Sequence, residues 1–389
     1  MEIRKLKRDE LLYDRRVSAA AYFWKMTGEP SGDDYNEDSW AAFDGKKLCS
    51  RLVNDDYKIN FDGNVVEMSG IGGVATLPEY RNKGLVRELF MAALPELRER
   101  GYICSFLYPF SYSFYRKFGY EICYSYNNVT IPSSFFKAYA NDKSVTMHEK
   151  GGDISGFKKV YESFSRNKNL SVVRDEKMWR DMIDKDPYAA NSFAFLVKDG
   201  GEAIAYLLFD VKKYSDDEGN ALRIKEIAWA RREGLYSALG FINAFGSQFE
   251  EVIWNAPVGL NALTMFPECY EIEIKCLPSG MNRIMDVEKA LNLMKLPECG
   301  GKMIINVNDE FLPVNSGNYL IEFDDKNREV TRTDKTPDII TDVQTLTQLA
   351  TGYVSFDQAL MKRGFIVNGN RDLLHAAFPS KKLYIYEKF

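Results

Sequence analysis

Apolar positions in the first 110 residues follow a helical period, then an extended pattern, then a helical period again. The first predicted helix covers about residues 7–22, with an apolar face made by Leu11, Leu12, Val17, Ala20 and Ala21. A second amphipathic helix is predicted from Gly84 to about residue 100, where Gly101 ends it. Strands are predicted at residues 40–43, 47–61, 65–74 and 103–108, with a hairpin turn at Asp62-Gly63-Asn64.

Residues 156–255 repeat this order of helices, strands, helix and strand. Helices are predicted at residues 156–165, 177–185 and 235–248, and strands at residues 192–198, 202–213, 222–230 and 251–255. Residue identity between the two segments is slight. Internal duplication is therefore a hypothesis that rests on the order of the elements.

The last hundred residues place strands first and helices later, which is typical of a compact α+β domain. Strands are predicted at residues 303–307, 317–323 and 329–332, and helices at residues 342–351, 356–363 and 371–378. The run Leu383-Tyr384-Ile385-Tyr386 predicts one more strand near the end of the chain. Because 389 residues are too many for one ordinary core, two or three domains are expected. From the order of the elements we predict three, at residues 1–132, 133–282 and 283–389.

Composition limits the classes of function. The net charge is −5 and no basic run occurs, so the chain is a poor candidate for nucleic-acid binding. No stretch is apolar enough to span a bilayer and the start lacks a secretory apolar region, so we expect no membrane partner and a cytoplasmic location. Six scattered cysteines without a C-x-x-C pair, and two isolated histidines, His148 and His375, predict no metal site. Catalysis would therefore have to proceed without histidine.

The segment from Val66 to Leu97 is the most informative one for chemistry. An extended run is followed by a short loop and a helix, which places free backbone N–H groups and a partial positive charge where a pyrophosphate could bind. Gly84 allows phosphate oxygens to approach closely, and Arg81, Lys83 and Arg87 add positive charge. The P-loop and dinucleotide fingerprints are both missing. The alternative interpretation is an ordinary strand–helix turn with a solvated basic face.

Read with the later run Phe114-Tyr115-Arg116-Lys117-Phe118-Gly119-Tyr120, this segment resembles the GNAT acetyltransferases. The resemblance implies acetyl-CoA as cosubstrate, bound without a metal. It implies that Val74, Ala75 and Thr76 line the pantetheine arm and that Phe110 and Ser111 close over the acetyl end. It further implies that the pyrophosphate is surrounded by Arg81, Asn82, Lys83, Gly84, Leu85, Val86 and Arg87, with Val86 in place of the usual small residue.

A wider resemblance covers the whole chain. A GNAT domain, a degenerate second GNAT-like domain and a domain like sterol carrier protein 2 form the layout of the Eis-like (enhanced intracellular survival) acetyltransferases. Residues 341–349, 352–355, 364–369 and 373–378 resemble the sterol-carrier pattern, and the chain ends in phenylalanine, as Eis proteins do. The resemblance implies an α/β (α+β) fold. It also implies direct acetyl transfer to small-molecule or peptide amines, such as aminoglycosides or lysine side chains, by a homo-hexamer.

Two catalytic groups follow from the same resemblance. Tyr115 matches the general acid, which protonates the departing thiolate of CoA, although Tyr112 and Tyr120 are nearby rivals. The terminal carboxylate of Phe389 matches the group that takes the proton from the amine. The alternatives are packing for Tyr115 and simple anchoring of the chain end for Phe389. In the second segment, Ala230-Arg231-Arg232-Glu233-Gly234-Leu235 keeps a trace of the loop, but we expect no second CoA site there.

A different class of function stays open, because a sterol-carrier-like domain can bind apolar ligands. A carrier needs an open tunnel, whereas this domain is expected to present the chain terminus. The two functions differ in which ligand stabilises the protein. CoA thioesters should raise the melting temperature of an acetyltransferase, and fatty acids should not.

Overall fold

The structure is a computed structural model that describes residues 1–28, 31, 34–213 and 220–389. The chain divides into two compact units. The first unit consists of Met1–Cys123, Ser279–Lys381 and Glu387–Phe389, and the second of Tyr124–Pro278 and Lys382–Tyr386. The domain limits that the sequence predicts, near residues 132 and 282, stay a prediction.

The N-terminal part of the first unit follows the predicted order, with one short strand added at its start. Its elements are β1 (Glu2–Lys5), α1 (Leu11–Tyr22), β2 (Ser39–Asp44), β3 (Lys47–Phe61), β4 (Asn64–Thr76), α2 (Leu85–Glu99), β5 (Cys104–Leu107), α3 (Tyr112–Arg116) and β6 (Glu121–Ile122). Pro95 lies inside α2, and the helix continues beyond it to Glu99. At four residues, β1 is too short to show a period in the sequence.

The second unit holds the second segment of the sequence. Its elements are β7 (Ser125–Pro132), β8 (Ser144–Met147), α4 (Ser155–Ser165), α5 (Glu176–Ile183), α6 (Pro187–Ala190), β9 (Ser192–Asp199), β10 (Glu202–Lys213), β11 (Asn220–Trp229), α7 (Arg232–Ile242), β12 (Glu251–Pro257) and β13 (Glu273–Pro278). The helix predicted at residues 235–248 is thus α7 followed by a 3₁₀ segment, which Gly246 interrupts with non-helical backbone angles.

The remaining elements follow the second unit along the chain. They are β14 (Met281–Ile284), α8 (Val287–Leu293), β15 (Gly301–Asn308), β16 (Gly317–Phe323), β17 (Arg328–Arg332), β18 (Ile339–Asp342), α9 (Val343–Thr351), α10 (Phe356–Ala359), β19 (Ile366–Val367) and α11 (Arg371–Ala377). Five of the strands form one sheet in the order β17-β16-β15-β18-β19. The helix predicted at residues 356–363 ends at Ala359.

The strand predicted at residues 383–386 is wrong. Only Leu383 forms an isolated bridge, to Asn169, and the backbone ladder does not continue from it. Besides the two backbone hydrogen bonds of this bridge, the segment is held by a side chain, since the hydroxyl of Tyr384 donates to the buried Glu226. An alternation of apolar and aromatic residues therefore marks buried contacts here and not a strand.

Both seven-stranded sheets have the same topology, which confirms the repeated order seen in the sequence. The first has the order β1-β2-β3-β4-β5-β14-β6, and the second, read from its other edge, β8-β9-β10-β11-β12-β7-β13. In each sheet the fourth and fifth strands are parallel and all other neighbours are antiparallel. The sixth strand is supplied from elsewhere along the chain. It is β14 in the first sheet and β7 in the second.

Helices cover both faces of the first sheet. Neighbouring residues of β2 alternate between the two cores, because Trp40 and Ala42 pack with α2 whereas Ala41 and Phe43 pack with α1. The buried face of α2 consists of Leu85, Leu89, Phe90, Ala93, Leu94 and Leu97. Burial of each large apolar side chain contributes about 1.5–3 kcal/mol, so the start of α2 is held firmly against the sheet.

Candidate active site

A cavity of about 760 Å³ opens in the first unit, between β4, the first turn of α2, α3 and the end of the chain. Every site residue that the sequence predicts lines this cavity, with the exception of Ser111. These residues are Val74, Ala75, Thr76, Arg81, Asn82, Lys83, Gly84, Leu85, Val86, Arg87, Phe110, Tyr115 and Phe389. Ser111 precedes α3, and its hydroxyl lies 3.1 Å from that of Ser113.

The cavity exists because β4 and β5 diverge. Their parallel pairing runs from Met68 to Ile71 on β4, whereas β4 itself continues to Thr76. Beyond Ile71 that edge of β4 is open to the cavity, and such an edge offers backbone groups to an extended ligand. Gly73, with φ +56°, marks an irregularity in the pairing with β3 at this point.

The loop before α2 has the geometry of an anion cradle. Asn82 and Gly84 both have positive φ, +60° and +80°, and Gly84 is the N-cap of α2. The first backbone hydrogen bond of α2 runs from the Glu88 N–H to the Gly84 carbonyl, so the preceding N–H groups are free to bind a ligand. No atom lies within 4 Å of the position that a Cβ on Gly84 would take. The loop therefore presents donors and open space together.

The cavity wall is strongly cationic. Arg81, Lys83, Arg87 and Lys117 all line it, and none forms an ion pair with a carboxylate in the part of the chain that the structure describes. The Lys83 ammonium lies 4.6 Å from the ring centre of Tyr80, and the Arg87 guanidinium 5.4 Å from that of Phe311. Four positive side chains that form no ion pair within the described residues favour a polyanionic ligand.

Tyr115 presents an unengaged hydroxyl to the cavity. Its ring is buried among aromatic side chains, with the Phe114 and Phe110 ring centres 5.2 and 5.5 Å away. No group within the described residues hydrogen-bonds to its hydroxyl. Burial raises the pKa of Tyr115 well above its ordinary value, so the hydroxyl keeps its proton at neutral pH.

The two rival tyrosines have their hydroxyl groups occupied. Tyr112 donates to the backbone carbonyl of Ser279 at 3.0 Å. The Tyr120 hydroxyl lies 2.6 Å from that of Ser105 in the core, where burial raises the pKa of Tyr120 as well. Of the three, Tyr115 alone lines the cavity.

The end of the chain lies beside β4. The Phe389 ring packs against Tyr57 and Tyr108, with ring centres 4.8 and 5.4 Å away, and Tyr108 donates a hydrogen bond to the carbonyl of Glu387. Two glycines of β4 leave room for it. A Cβ on Gly70 would lie 3.0 Å from the Phe389 ring, and a Cβ on Gly72 would lie 3.1 Å from the terminal carboxyl carbon. The terminal carboxylate therefore rests against bare backbone at the open edge of β4.

Several residues at the cavity were missed in the sequence analysis, notably Tyr22, Gly72, Tyr108 and Lys117. Lys117 stands inside the quoted motif, and the doublet Gly72-Gly73 was a usable signal because strand interiors rarely contain paired glycines. Tyr22, which donates to the Val74 carbonyl at 2.9 Å, gave no such signal.

The histidines and acidic side chains of the described residues are dispersed. Over the described ranges, no three His, Cys, Asp or Glu side chains come together as metal ligands. His148 and His375 lie beside Asp184 and Asp357 instead, at 3.3 and 3.2 Å. None of the helices that the structure describes is long and apolar enough to cross a bilayer.

Three protein families match successive parts of the chain. Residues 2–123 match a GNAT acetyltransferase domain, and residues 170–284 match a second GNAT acetyltransferase domain. Residues 287–386 match a sterol carrier protein domain. The predicted fold class, two GNAT-like domains followed by a sterol-carrier-like domain, is confirmed.

The curated relatives are distant. The N-acetyltransferase Eis of Mycobacterium bovis (strain BCG / Pasteur 1173P2) and that of Mycobacterium tuberculosis (strain ATCC 25177 / H37Ra) are each 22% identical to this chain over 168 residues. The match spans 40% of this chain and 42% of the length of each relative.

Solved structures share the fold over almost the whole length. A GCN5-related N-acetyltransferase from Anabaena variabilis ATCC 29413 superposes with a TM-score of 0.87 at 21% identity, covering 100% of both chains. A probable N-acyltransferase from Enterococcus faecalis V583 gives 0.86 at 20%, covering 98% of both. Eis1 from Mycobacterium abscessus gives 0.82 at 19%, covering 100% of both. The chain thus contains two domains of the GNAT acetyltransferase family followed by a sterol carrier protein domain, and in this layout it is similar to the Eis N-acetyltransferases.

Proposed function

We propose that the protein transfers the acetyl group of acetyl-CoA directly to primary amines. The observation that carries the proposal is the meeting of three features at one cavity. These are the cationic cradle at the start of α2, the hydroxyl of Tyr115 and the terminal carboxylate of Phe389. A strand–helix turn with a solvated basic face would not need the other two features.

The residues of the cavity fit a CoA thioester. The edge of β4 at Val74, Ala75 and Thr76 is not paired with β5 and suits the amide groups of the pantetheine arm, which can bond to backbone as an added strand does. The Val74 carbonyl on this segment also accepts a hydrogen bond from Tyr22. The free N–H groups at the start of α2 and the open space at Gly84 suit the pyrophosphate. When bound, acetyl-CoA supplies an acetyl group already activated as a thioester.

Two groups of the chain would handle the protons. The carboxylate of Phe389 accepts a proton from the incoming ammonium, so that the amine becomes nucleophilic. The Tyr115 hydroxyl holds the proton that the departing thiolate needs, and its raised pKa keeps that proton in place until transfer.

The proposed substrates, aminoglycoside-like amines or lysine side chains, rest on the resemblance to Eis-like enzymes. The Phe389 carboxylate beside Gly72 of β4 is consistent with amines that arrive protonated. The same resemblance to Eis-like enzymes suggests a homo-hexamer. Light scattering of the purified protein tests the hexamer separately from the activity.

The test is a panel of amines incubated with acetyl-CoA while free thiol release is followed. N-acetylated product, identified by mass spectrometry, is expected for cationic amines, with no acetyl group left on the protein itself. Release of thiol without any amine product would contradict the proposal. If fatty acids raised the melting temperature and acetyl-CoA did not, the carrier function would be supported instead.

A further inference from the structure

The cavity carries more positive charge than a pyrophosphate requires. Arg81, Lys83, Arg87 and Lys117 supply four positive charges without ion-pair partners among the described residues. A pyrophosphate diester carries two negative charges. A phosphate monoester, such as the 3′-phosphate of CoA, adds about two more near neutral pH. The four cations thus match the full charge of the CoA nucleotide.

Lys117 stands apart from the other three cations. Arg81, Lys83 and Arg87 belong to the loop and the first turn of α2, whereas Lys117 directly follows α3 on a different wall of the cavity. The ring of Phe311 lies 5.4 Å from the ring of Phe118, the next residue, and 5.4 Å from the Arg87 guanidinium. Lys117 therefore lines the cavity from the α3 side, next to a residue that shares the neighbour Phe311 with Arg87.

The neighbouring Arg116 shows that a cation on α3 need not serve the cavity. Arg116 forms a paired contact with Glu121, with N–O distances of 2.7 and 2.9 Å, and it does not line the cavity. Lys117 has no such acidic partner within the described residues. Of these two adjacent cations, Arg116 forms an ion pair with Glu121 and Lys117 lines the cavity.

We propose that Lys117 binds the 3′-phosphate of the CoA nucleotide, an assignment that rests on the proposed use of acetyl-CoA. A lysine ammonium suits this group because it acts as a compact point charge and does not require a planar, bidentate partner. The consequence is selectivity. The protein distinguishes CoA thioesters from thioesters that share the pantetheine arm and pyrophosphate but lack the 3′-phosphate.

The experiment compares CoA with 3′-dephospho-CoA by titration calorimetry. Lys117→Ala is expected to weaken CoA binding about threefold to tenfold, as partly exposed ion pairs do, and to leave 3′-dephospho-CoA binding unchanged. Lys117→Arg should restore most of the CoA affinity. Arg116→Ala is the matched control and should change neither affinity, with thermal unfolding verifying that each variant is folded.

Three other results would contradict the assignment of Lys117, and each would point to a different error. Equal weakening of both ligands by Lys117→Ala would place Lys117 at the pyrophosphate and overturn the assignment. An unchanged affinity for CoA would remove Lys117 from the site altogether. If the unaltered protein bound neither ligand, the proposed function itself would fail, and this assignment with it.

Discussion

Three tyrosines on and just after α3 differ in what their hydroxyl groups contact. Tyr112 and Tyr120 are engaged by Ser279 and Ser105, respectively, and Tyr115 faces the cavity without a hydrogen-bond partner in the described residues. The candidate acid therefore differs from the two structural tyrosines in whether its hydroxyl oxygen is hydrogen-bonded within the fold. Removal of that oxygen is the most direct test of the role.

We predict that Tyr115→Phe keeps CoA affinity and loses turnover. The aromatic ring, which packs against Phe110 and Phe114, is preserved, so the fold and the cavity should persist. General-acid steps contribute about 10²–10⁴-fold, and kcat should fall by a factor in that range. Steady-state kinetics and calorimetry measure the two quantities. Tyr112→Phe serves as the control with near-normal kcat, and full turnover in Tyr115→Phe would end the assignment.

At the same scale, Gly72 is predicted to position the terminal carboxylate. A methyl group there would lie 3.1 Å from the carboxyl carbon of Phe389, closer than ordinary packing allows, so the chain end has to shift. A misplacement of about 1 Å can cost about a hundredfold in rate, so a shift of a few tenths of an ångström should cost less, up to about tenfold. Gly72→Ala should therefore lower kcat with CoA affinity retained, and the loss should shrink as pH rises and the amine loses its own proton.

Val65→Ala, an exposed position on the same strand, is the matched control for Gly72→Ala. A pH-independent loss in Gly72→Ala would show general damage to β4 and not a displaced carboxylate. An unchanged rate would show that the carboxylate does not act from this position.

At the scale of elements, the two GNAT-like halves use equivalent glycines in opposite ways. Gly84 caps α2 with φ +80° and has open space around it. In the second unit, α7 already begins at Arg232, and Gly234 lies inside it. A Cβ on Gly234 would lie only 2.6 Å from the Ile204 carbonyl oxygen on β10. The residues that correspond to the loop before α2 are therefore helical in the second unit. There Gly234 allows α7 to pack closely against β10.

We predict that Gly84→Val affects acetyl-CoA binding, whereas Gly234→Val affects the stability of the fold. Gly84→Val should abolish measurable acetyl-CoA binding, because the side chain fills the approach to the N–H groups and strains a left-handed residue by roughly 1–2 kcal/mol. Gly234→Val should lower the melting temperature of the protein, because backbone has to move. Calorimetry and thermal unfolding of both variants check this. If Gly84→Val kept the acetyl-CoA affinity of the unaltered protein, the assignment of the pyrophosphate to the loop before α2 would be wrong.

At the scale of the whole molecule, the cavity joins residues from both ends of the sequence. The strand, the loop and Tyr115 come from the N-terminal third, and the carboxylate is that of the last residue. A charge at the chain terminus can be moved without altering any side chain. The terminus is therefore the place where the mechanism can be tested with the least change to the core.

We predict that two residues added after Phe389 abolish transfer at neutral pH and leave CoA affinity intact. The extension replaces the carboxylate by an amide and carries the charge away from Gly72. The defect should shrink as pH rises, because an amine that is already deprotonated needs no base. Initial rates across pH, with the oligomeric state verified, measure the effect. The same two residues placed before Met1, which is exposed, form the control. Full activity of the C-terminal extension at neutral pH would leave another group as the base.

Local patterns along the chain were sufficient for most elements and for the cradle. The strand at residues 47–61 and the strand at residues 317–323 have the predicted bounds, and α2 begins one residue after Gly84. Alternation, helical period and turn chemistry act between residues close in sequence, so they can be read without the fold. The roles of Tyr115 and Phe389 came from the family resemblance and stay predictions.

The features that the sequence did not predict depend on contacts between residues far apart along the chain. The sixth strand of each sheet, β14 and β7, comes from another part of the chain, and strand pairing across more than a hundred residues leaves no period in the sequence. The segment at residues 383–386 shows the opposite error, since its alternation reflects side-chain burial and not a ladder. The seating of Phe389 against Gly72 likewise depends on two segments more than three hundred residues apart. Such contacts form only in the folded chain. The entropy lost in closing long loops is offset there by burial and hydrogen bonding between segments that are distant in sequence.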